Sequence, residues 1–400
     1  MLKANVYGEI KNWKKPLHKI RANSAKAYLN LLPNIQIIGI TGSVGKTLTQ
    51  NAIDAVLSQK FKTRKGNDNL DPTFRIPKTL LEAKPWDQKL ILEYGVEHPL
   101  DMDYYLKIVK PDIAVVLSVS PTHTKYFGGQ EGVYNEKVKL VKALSKSDVA
   151  ILNADDPNVA RMANETNAKV KWFGENAKDS VKISHYTQSL QGAKFRLHFQ
   201  GQKATVSWKI LGKHQLTSAY AAAAVGIQTG VTLKQIAKGL SQAKPPEHRL
   251  NSVFTKGVKI IDDTYNSSPL AAGKSIETLV EVAKGKPKIA VLGEMKDLGT
   301  ISKSAHEELG RQIAKTTINY LFTIGKVADE IGVAAKAAGF GGKIISVQTT
   351  KEAIEKIKEV TTPRTVILVK GSRHAHLERI VKGLLRQSTK INCYHCGTLS

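Results

Sequence analysis

From residue 35 onward, short apolar runs alternate with stretches in which apolar residues recur every three or four positions. "IQIIGI" leads into a helical pattern from Thr47, "KLILEYG" precedes "LDMDYYLKIV", "DIAVVLSVS" precedes "VYNEKVKLVKAL", and "DVAILNADD" precedes "PNVARMANE". Strands and helices alternating at this spacing imply right-handed crossovers and a mostly parallel sheet. Residues 170–210 switch to a period of two with turn residues between, which predicts antiparallel hairpins. Two helical stretches follow, the alanine-rich "TSAYAAAAVGIQTG" and "TLKQIAKGLSQ", before Pro245 and Pro246 break the pattern and mark a domain boundary. Beyond them "VKIIDDTYN", "PKIAVLGEM", "INYLFTIG", "GKIISVQ" and "TVILVKGSR" read as strands of a second α/β unit. The expected organisation is α/β throughout: a short basic segment at 1–34, a central domain at 35–244 with a mostly parallel sheet, a C-terminal Rossmann-like domain at 245–388, and a tail at 389–400.

Composition narrows the field. A 400-residue chain with 42% hydrophobic and 24% charged residues is ordinary for a globular protein. No apolar run approaches the roughly 18 residues of a membrane span. The basic start lacks an apolar core followed by a small-residue cleavage site, so no secretory signal is expected. Cys393 and Cys396 form no disulfide framework, and a reducing cytoplasm is the expected compartment. The net charge of +26 favours anionic partners. The lysines are scattered, without a basic run or an aromatic-and-basic module, so nucleic acid is not the expected partner. A monomer is expected.

The stretch "GITGSVGKTLTQ" carries the chemistry. In a phosphate loop, glycines let backbone amides close on phosphate oxygens, a lysine neutralises the β and γ phosphates, and a Ser or Thr hydroxyl holds Mg²⁺. Here Thr41, Gly42, Ser43, Gly45, Lys46 and Thr47 follow an apolar strand directly, in the shorter form T-G-x-x-G-K-[ST]. ATP with Mg²⁺ is the expected cofactor. Glu93 ends the strand "LILE", and His123 follows the strand "DIAVVLSVS"; both strand ends open onto the crevice where α/β sheets place ligand groups.

With this loop, the chain resembles the Mur ligase family. The stretches that carry the resemblance are "TGSVGKT", "LILEYGVEHPLDMDYYLKIVKPDIAVVLSVSPTHTKYFGG", "YNEKVKLV", "ILNADDPNV", "GKHQLTSAYAAAA", "HRL", "IIDDTYNSSP", "VLGEMKDLG" with "HEELG", and "LVKGSRHAHLERIV". They occur in the family's order. The resemblance implies an ATP-dependent ligase that phosphorylates a carboxylate and lets an amine attack the acyl phosphate. Its closest branch adds D-Ala-D-Ala to UDP-N-acetylmuramoyl tripeptide in peptidoglycan synthesis, so small anionic muropeptides are the implied partners.

Residue by residue, the resemblance implies Lys46 at the transferring phosphoryl group, Thr47, Glu93 and His123 as metal ligands, and Lys137 as a lysine carried as an N-carbamate. It makes Arg249 a phosphate contact from the C-terminal domain, places Asp263 beside the nucleotide, and assigns Tyr265 and Asn266 of the same stretch to substrate binding. Asn153 stands near the nucleotide, or an Asp of that stretch caps the following helix. In "GKHQLTSAY" His214 is kept, while Gln215 and Ser218 replace the family's asparagines. Lys370, Ser372 and Arg373 form a strand-to-helix turn, expected to be a substrate-side anion site at a helix N-terminus.

The resemblance implies a UDP-binding domain ahead of the loop; only a short basic segment precedes it in this sequence, so a reduced, rebuilt or absent UDP site is expected. In the tail, Cys393, His395 and Cys396 offer at most half a zinc site, or exposed thiols. Two alternatives stay open: a Mur-type ligase for another acid, and an ATP-binding interaction protein without ligase activity.

Overall fold

The computed structural model describes residues 15–32, 34–66, 72–120, 124–255, 258–393 and 397–399. It divides into two compact units, one of residues 1–187, 194–209 and 215–244, the other of residues 188–193, 210–214 and 245–400. Among the described residues no helix is long and apolar enough to cross a membrane.

In the first unit α1 (Lys15–Leu29) precedes β1 (Gln36–Thr41), α2 (Lys46–Leu57), β2 (Thr63–Lys65), α3 (Pro72–Glu82), β3 (Lys89–Glu93), α4 (Asp101–Ile108) and β4 (Ile113–Val116). Short helices α5 (Thr124–Phe127), α6 (Gln130–Lys137) and α7 (Lys139–Lys142) lead to β5 (Val149–Asn153), α8 (Pro157–Arg161) and β6 (Lys169–Phe173). The sheet order is β2-β3-β1-β4-β5-β6, every pair parallel. Helices cover both faces, so the inner strands read as unbroken apolar runs rather than alternating ones. The chain leaves β1 toward β2 and β3, then crosses to β4 on the other side, and the C-terminal end of β1 lies at this switch. Such points open the ligand crevices of α/β sheets.

Residues 15–32 do not stand apart from this unit: Ala22 and Ala25 of α1 are buried in one core with Ile76 and Leu80 of α3. Residues 170–173, expected in a hairpin, belong to β6 (Lys169–Phe173), the parallel edge strand of the main sheet. One face of this strand is open to solvent at Lys169 and Lys171, so its side chains alternate between exposed and covered, imitating the hairpin pattern. The antiparallel character starts later, in the three-stranded sheet of β7 (Lys182–Ser189), β8 (Gly192–Phe199) and β9 (Gln202–Trp208). Gln200 and Gly201 join β8 to β9 with φ of 46° and 75°, the primed turn that matches strand twist.

Two helices, α9 (Leu216–Gln228) and α10 (Leu233–Gln242), close on α2. The alanines and glycines of this stretch permit that approach. A Cβ on Gly239 would stand 2.5 Å from the Ala55 carbonyl oxygen, and one on Gly226 would stand 2.9 Å from Val56 Cγ1. The alanine-rich pattern is thus a packing requirement of the helix that follows the phosphate loop.

The second unit holds β10 (Asn251–Thr255), β11 (Val258–Asp263), α11 (Pro269–Val282), β12 (Lys288–Gly293), α12 (Ser302–Ala314) and β13 (Tyr320–Ile324). It continues through α13 (Lys326–Ala337), β14 (Lys343–Val347), α14 (Thr350–Val360), β15 (Val366–Lys370) and α15 (Glu378–Leu384). The order is β10-β11-β15-β12-β13-β14, parallel except for β10. β15, last in sequence among these strands, inserts between β11 and β12 and sets Asp263 directly opposite Lys370. The tail contributes β16 (Ile391–Cys393) and β17 (Gly397–Leu399), an antiparallel pair. His395 and Cys396 lie outside the described residues, and with them the tail's metal question.

His306, in α12, is fully buried. Its Nε2 accepts from the Met295 backbone N–H at 2.9 Å, which places the ring proton on Nδ1, 2.7 Å from the Ser302 carbonyl. The ring therefore pins the loop after β12 to the first turn of α12.

Candidate active site

The loop after β1 turns on two glycines. Gly45 has φ of 83°, and a Cβ on Gly42 would stand 2.8 Å from Leu117 Cβ. Either position would strain under a larger residue. Ser43 ties the loop to the end of β4: its N–H donates to Ser118 O at 2.9 Å and its hydroxyl to Ser120 O at 3.0 Å. Thr41 donates to Tyr94 O at 2.8 Å, joining the loop's base to the end of β3. At the N-terminus of α2 no side chain caps the backbone and no acidic residue occupies the first turn. The first amides of that helix, with its positive dipole end, form an anion site. Lys46 folds over the loop, its Nζ 2.9 Å from Gly42 O.

Beside this loop, Thr47 and Glu93 meet. Thr47 Oγ1 donates to Glu93 Oε2 at 3.1 Å, and Arg75 Nη1, from α3, donates to the same oxygen at 3.1 Å. Glu93 is 6% exposed and Arg75 4%. Lys137, at the last turn of α6, is 2% exposed. Burial drives its amine well below the usual lysine range, the charge of Lys46 adds to that fall, and Glu136 and Glu93 oppose it. Glu136 is itself engaged: it accepts from the Met102 N–H at 2.8 Å and from Lys139 Nζ at 2.7 Å. The structure thus brings Gly42, Gly45, Lys46, Thr47, Glu93 and Lys137 to one edge of the sheet. His123 lies outside the described residues.

Asn153 has both ends of its amide committed, donating to Leu117 O at 2.8 Å and accepting from Asp155 N–H at 3.0 Å. It fastens β5 to β4 at the rim. Asp156 caps α8 through Asn158 and Val159 N–H and also accepts from Val119 N–H. Ser218 receives the Thr49 hydroxyl at 2.9 Å in a buried bond, locking α9 to α2.

The remaining expected residues sit in the second unit. His214 groups with that unit, where loss of hydration pulls its pKa to about 4, so the ring is neutral at pH 7. Lys370, 2% exposed, gives its ammonium to Asp263 Oδ2 at 2.6 Å and to Asn266 O at 2.9 Å. Asp263 also receives Ser275 Oγ at 2.6 Å and the Leu250 N–H. Arg249 lies between two residues at positive φ, His248 at 59° and Leu250 at 52°, with its guanidinium 4.1 Å from the Tyr265 ring centroid. Arg373 reaches the same ring at 5.9 Å and bonds Glu378. A hydrogen bond to Asp262 raises the pKa of His248 and holds this loop in place.

The helix N-terminus expected at Ser372 is not there. A single 3-10 turn, Arg373–Ala375, intervenes, His376 has φ of 48°, and α15 begins only at Glu378. Ser372 Oγ is buried without a partner. The Lys370 and Asp263 pair makes a sharp stability prediction, since removing one partner strands a buried charge. Asp263→Ala is expected to lower the unfolding free energy by about 3 to 5 kcal/mol in urea denaturation. Lys370→Met with Asp263→Leu should recover much of it.

Sequence reasoning missed Arg75, which lies inside the apolar pattern "TFRIPKTLL", and the serines 118 and 120 that hold the loop. Only the position of Arg75 beside the buried Ile76 hinted at its burial.

A phosphate loop at a topological switch, a carboxylate bonded to the loop threonine and a desolvated lysine beside them define a nucleotide-dependent phosphoryl-transfer site. Residues 40–226 match the Mur ligase middle domain and residues 248–373 the Mur ligase, glutamate ligase domain. The chain belongs to the Mur ligase family and is an ATP-dependent ligase that forms an amide bond. Within the family it is similar to MurF. The UDP-N-acetylmuramoyl-tripeptide--D-alanyl-D-alanine ligase of Bacillus subtilis (strain 168) is 31% identical over 362 residues, covering 90% of this chain and 78% of that protein. MurF from Acinetobacter baumannii superposes with a TM-score of 0.84 at 28% identity, covering 92% of this chain and 81% of that one. MurF from Thermotoga maritima, in complex with ADP, gives a TM-score of 0.82 at 26% identity over 92% of this chain and 84% of that one.

Proposed function

We propose that this protein joins D-alanyl-D-alanine to the peptide carboxylate of UDP-N-acetylmuramoyl tripeptide, using ATP. The observation that carries the reading is the gathering of Lys46, Thr47, Glu93 and Lys137 at the end of β1, in a chain similar along nine-tenths of its length to a ligase of that name. In the first step a carboxylate oxygen attacks the γ-phosphorus, the bond to the ADP oxygen breaks, and an acyl phosphate forms. In the second the amine nitrogen attacks the acyl carbon, the bond to phosphate breaks, and the amine proton leaves to solvent.

Lys46 and the first amides of α2 stabilise charge spread over the transferring phosphoryl oxygens. The Thr47 hydroxyl and the Glu93 carboxylate are hard oxygen donors 3.1 Å apart, a set that suits Mg²⁺. Bound there, with His123 on a second ion, Mg²⁺ would supply charge neutralisation at the phosphates. The fixed polar groups around the loop hold its amides in the shape that receives the phosphates. Lys137 has the burial that lowers its amine's pKa, which favours the neutral form that carbamate formation requires. In that step Nζ bonds to the carbon of CO₂ and a proton is released, converting a buried amine into an anion. Arg249 and Arg373, grouped around Tyr265, supply cationic and aromatic surface for an anionic substrate, and Asp263 with Lys370 shapes the loop that carries Tyr265 and Asn266.

The test is phosphate release from ATP with the two substrates separately and together, with product mass. Release and a new amide only with the pair support the reading. Release with the muropeptide and a different amine, or none with the pair, overturns it.

A further inference from the structure

Arg75 enters the pocket from α3, outside the phosphate loop. Its Nη1 is bonded to Glu93 Oε2, and its Nε is buried with no hydrogen-bond partner. Gly66 fixes the stem from behind, since a Cβ there would stand 2.7 Å from Arg75 Cγ and Cδ. A buried guanidinium demands an anion, and Glu93 provides it. The carboxylate oxygen that Thr47 donates to is therefore already neutralised by a fixed cation.

The charge around Thr47 follows from these contacts. Lys46 and Arg75 are cationic and Glu93 is anionic, so the balance stays positive until Lys137 carries a carbamate. A lone divalent ion would meet a cationic pocket. Among the described residues no group of three or more His, Cys, Asp or Glu converges to offset this. Nucleotide phosphates reverse the sign, because the uncapped α2 terminus and Lys46 draw them to the same edge.

We infer that Arg75 is a positioning residue that prevents the Thr47 and Glu93 pocket from holding a divalent cation before nucleotide phosphates arrive, so that metal and nucleotide load together. This rests on the reading of Glu93 as a metal-side carboxylate. The ion pair also holds the carboxylate in one rotamer, so the pocket is ready-shaped when the phosphates bring the metal in.

The experiment is Mn²⁺ binding to the full chain, followed by electron paramagnetic resonance of free Mn²⁺, with and without ADP. Wild type should retain Mn²⁺ only with ADP. Arg75→Met should bind Mn²⁺ alone at least about tenfold more tightly than wild type, because a unit charge beside a divalent ion is removed at low dielectric. Arg75→Gln keeps a donor for Glu93, which guards against loss of the fold, and should show the same gain. Arg75→Lys should behave as wild type, and Arg75→Met with Glu93→Gln should lose the gain. The inference is overturned if folded Arg75→Gln binds Mn²⁺ alone no better than wild type, or if wild type binds it equally with and without ADP. Failure of wild type to retain Mn²⁺ even with ADP would instead remove the metal reading of Thr47 and Glu93, and the inference with it.

Discussion

Lys46→Met is expected to lower kcat by about 10³-fold or more while leaving the melting temperature nearly unchanged. The lysine's Nζ bonds Gly42 O at 2.9 Å within its own partly exposed loop, so the fold loses little when it goes. The transition state loses much, because charge on the transferring phosphoryl oxygens then rests on the backbone amides and the metal, without the lysine's cation. Methionine keeps the stem and removes the charge, which separates electrostatics from packing. Steady-state phosphate release with saturating substrates gives kcat, and equilibrium titration with ADP gives nucleotide affinity. A loss in kcat far exceeding the loss in ADP affinity would mark Lys46 as acting on the transition state rather than on ground-state binding. Activity within tenfold of wild type would remove the loop lysine from the chemistry.

The parallel sheet and the loop were legible because each rests on local rules. A buried parallel strand must be apolar throughout, and a chain that closes on phosphate must spend glycines where Gly42 and Gly45 stand. Glu93 could be placed by the strand that ends in it. Arg75 could not, because its role depends on α3 being laid against β3, a tertiary fact with no sequence period. The same holds for Lys370: its residue type suggested a substrate contact, but register sets it opposite Asp263, where the ammonium is consumed internally. β10 was missed because "NSVFT" is an edge strand with half-covered positions and no strong alternation. The Ser372 turn failed differently. Strand followed by serine usually starts a helix, yet His376 at positive φ postpones it to Glu378.

Ser218 illustrates how a departure from a family pattern is absorbed. The serine takes the Thr49 hydroxyl at 2.9 Å in a buried bond between α9 and α2.

Lys137→Met should cut kcat by at least about 10²-fold, and part of the activity should return with added formate or acetate. The reasoning begins with burial. At 2% exposure the Lys137 amine is costly to protonate, and the neighbouring Lys46 charge makes it costlier. An unprotonated amine is the form that captures CO₂, so wild-type activity should fall in CO₂-depleted buffer and recover with bicarbonate, whereas Lys137→Met should respond to neither. The linkage has a definite sign. The folded pKa lies below the ordinary lysine value, so between the two the unfolded chain binds more protons. Wild-type stability should thus rise with pH across that interval relative to Lys137→Met, as measured by urea denaturation in CO₂-free buffer. A flat difference would mean that the amine is protonated in the folded protein after all, and would leave no neutral nucleophile for the carbamate. A pH-dependent difference without any CO₂ dependence of activity would keep the neutral lysine and remove the carbamate.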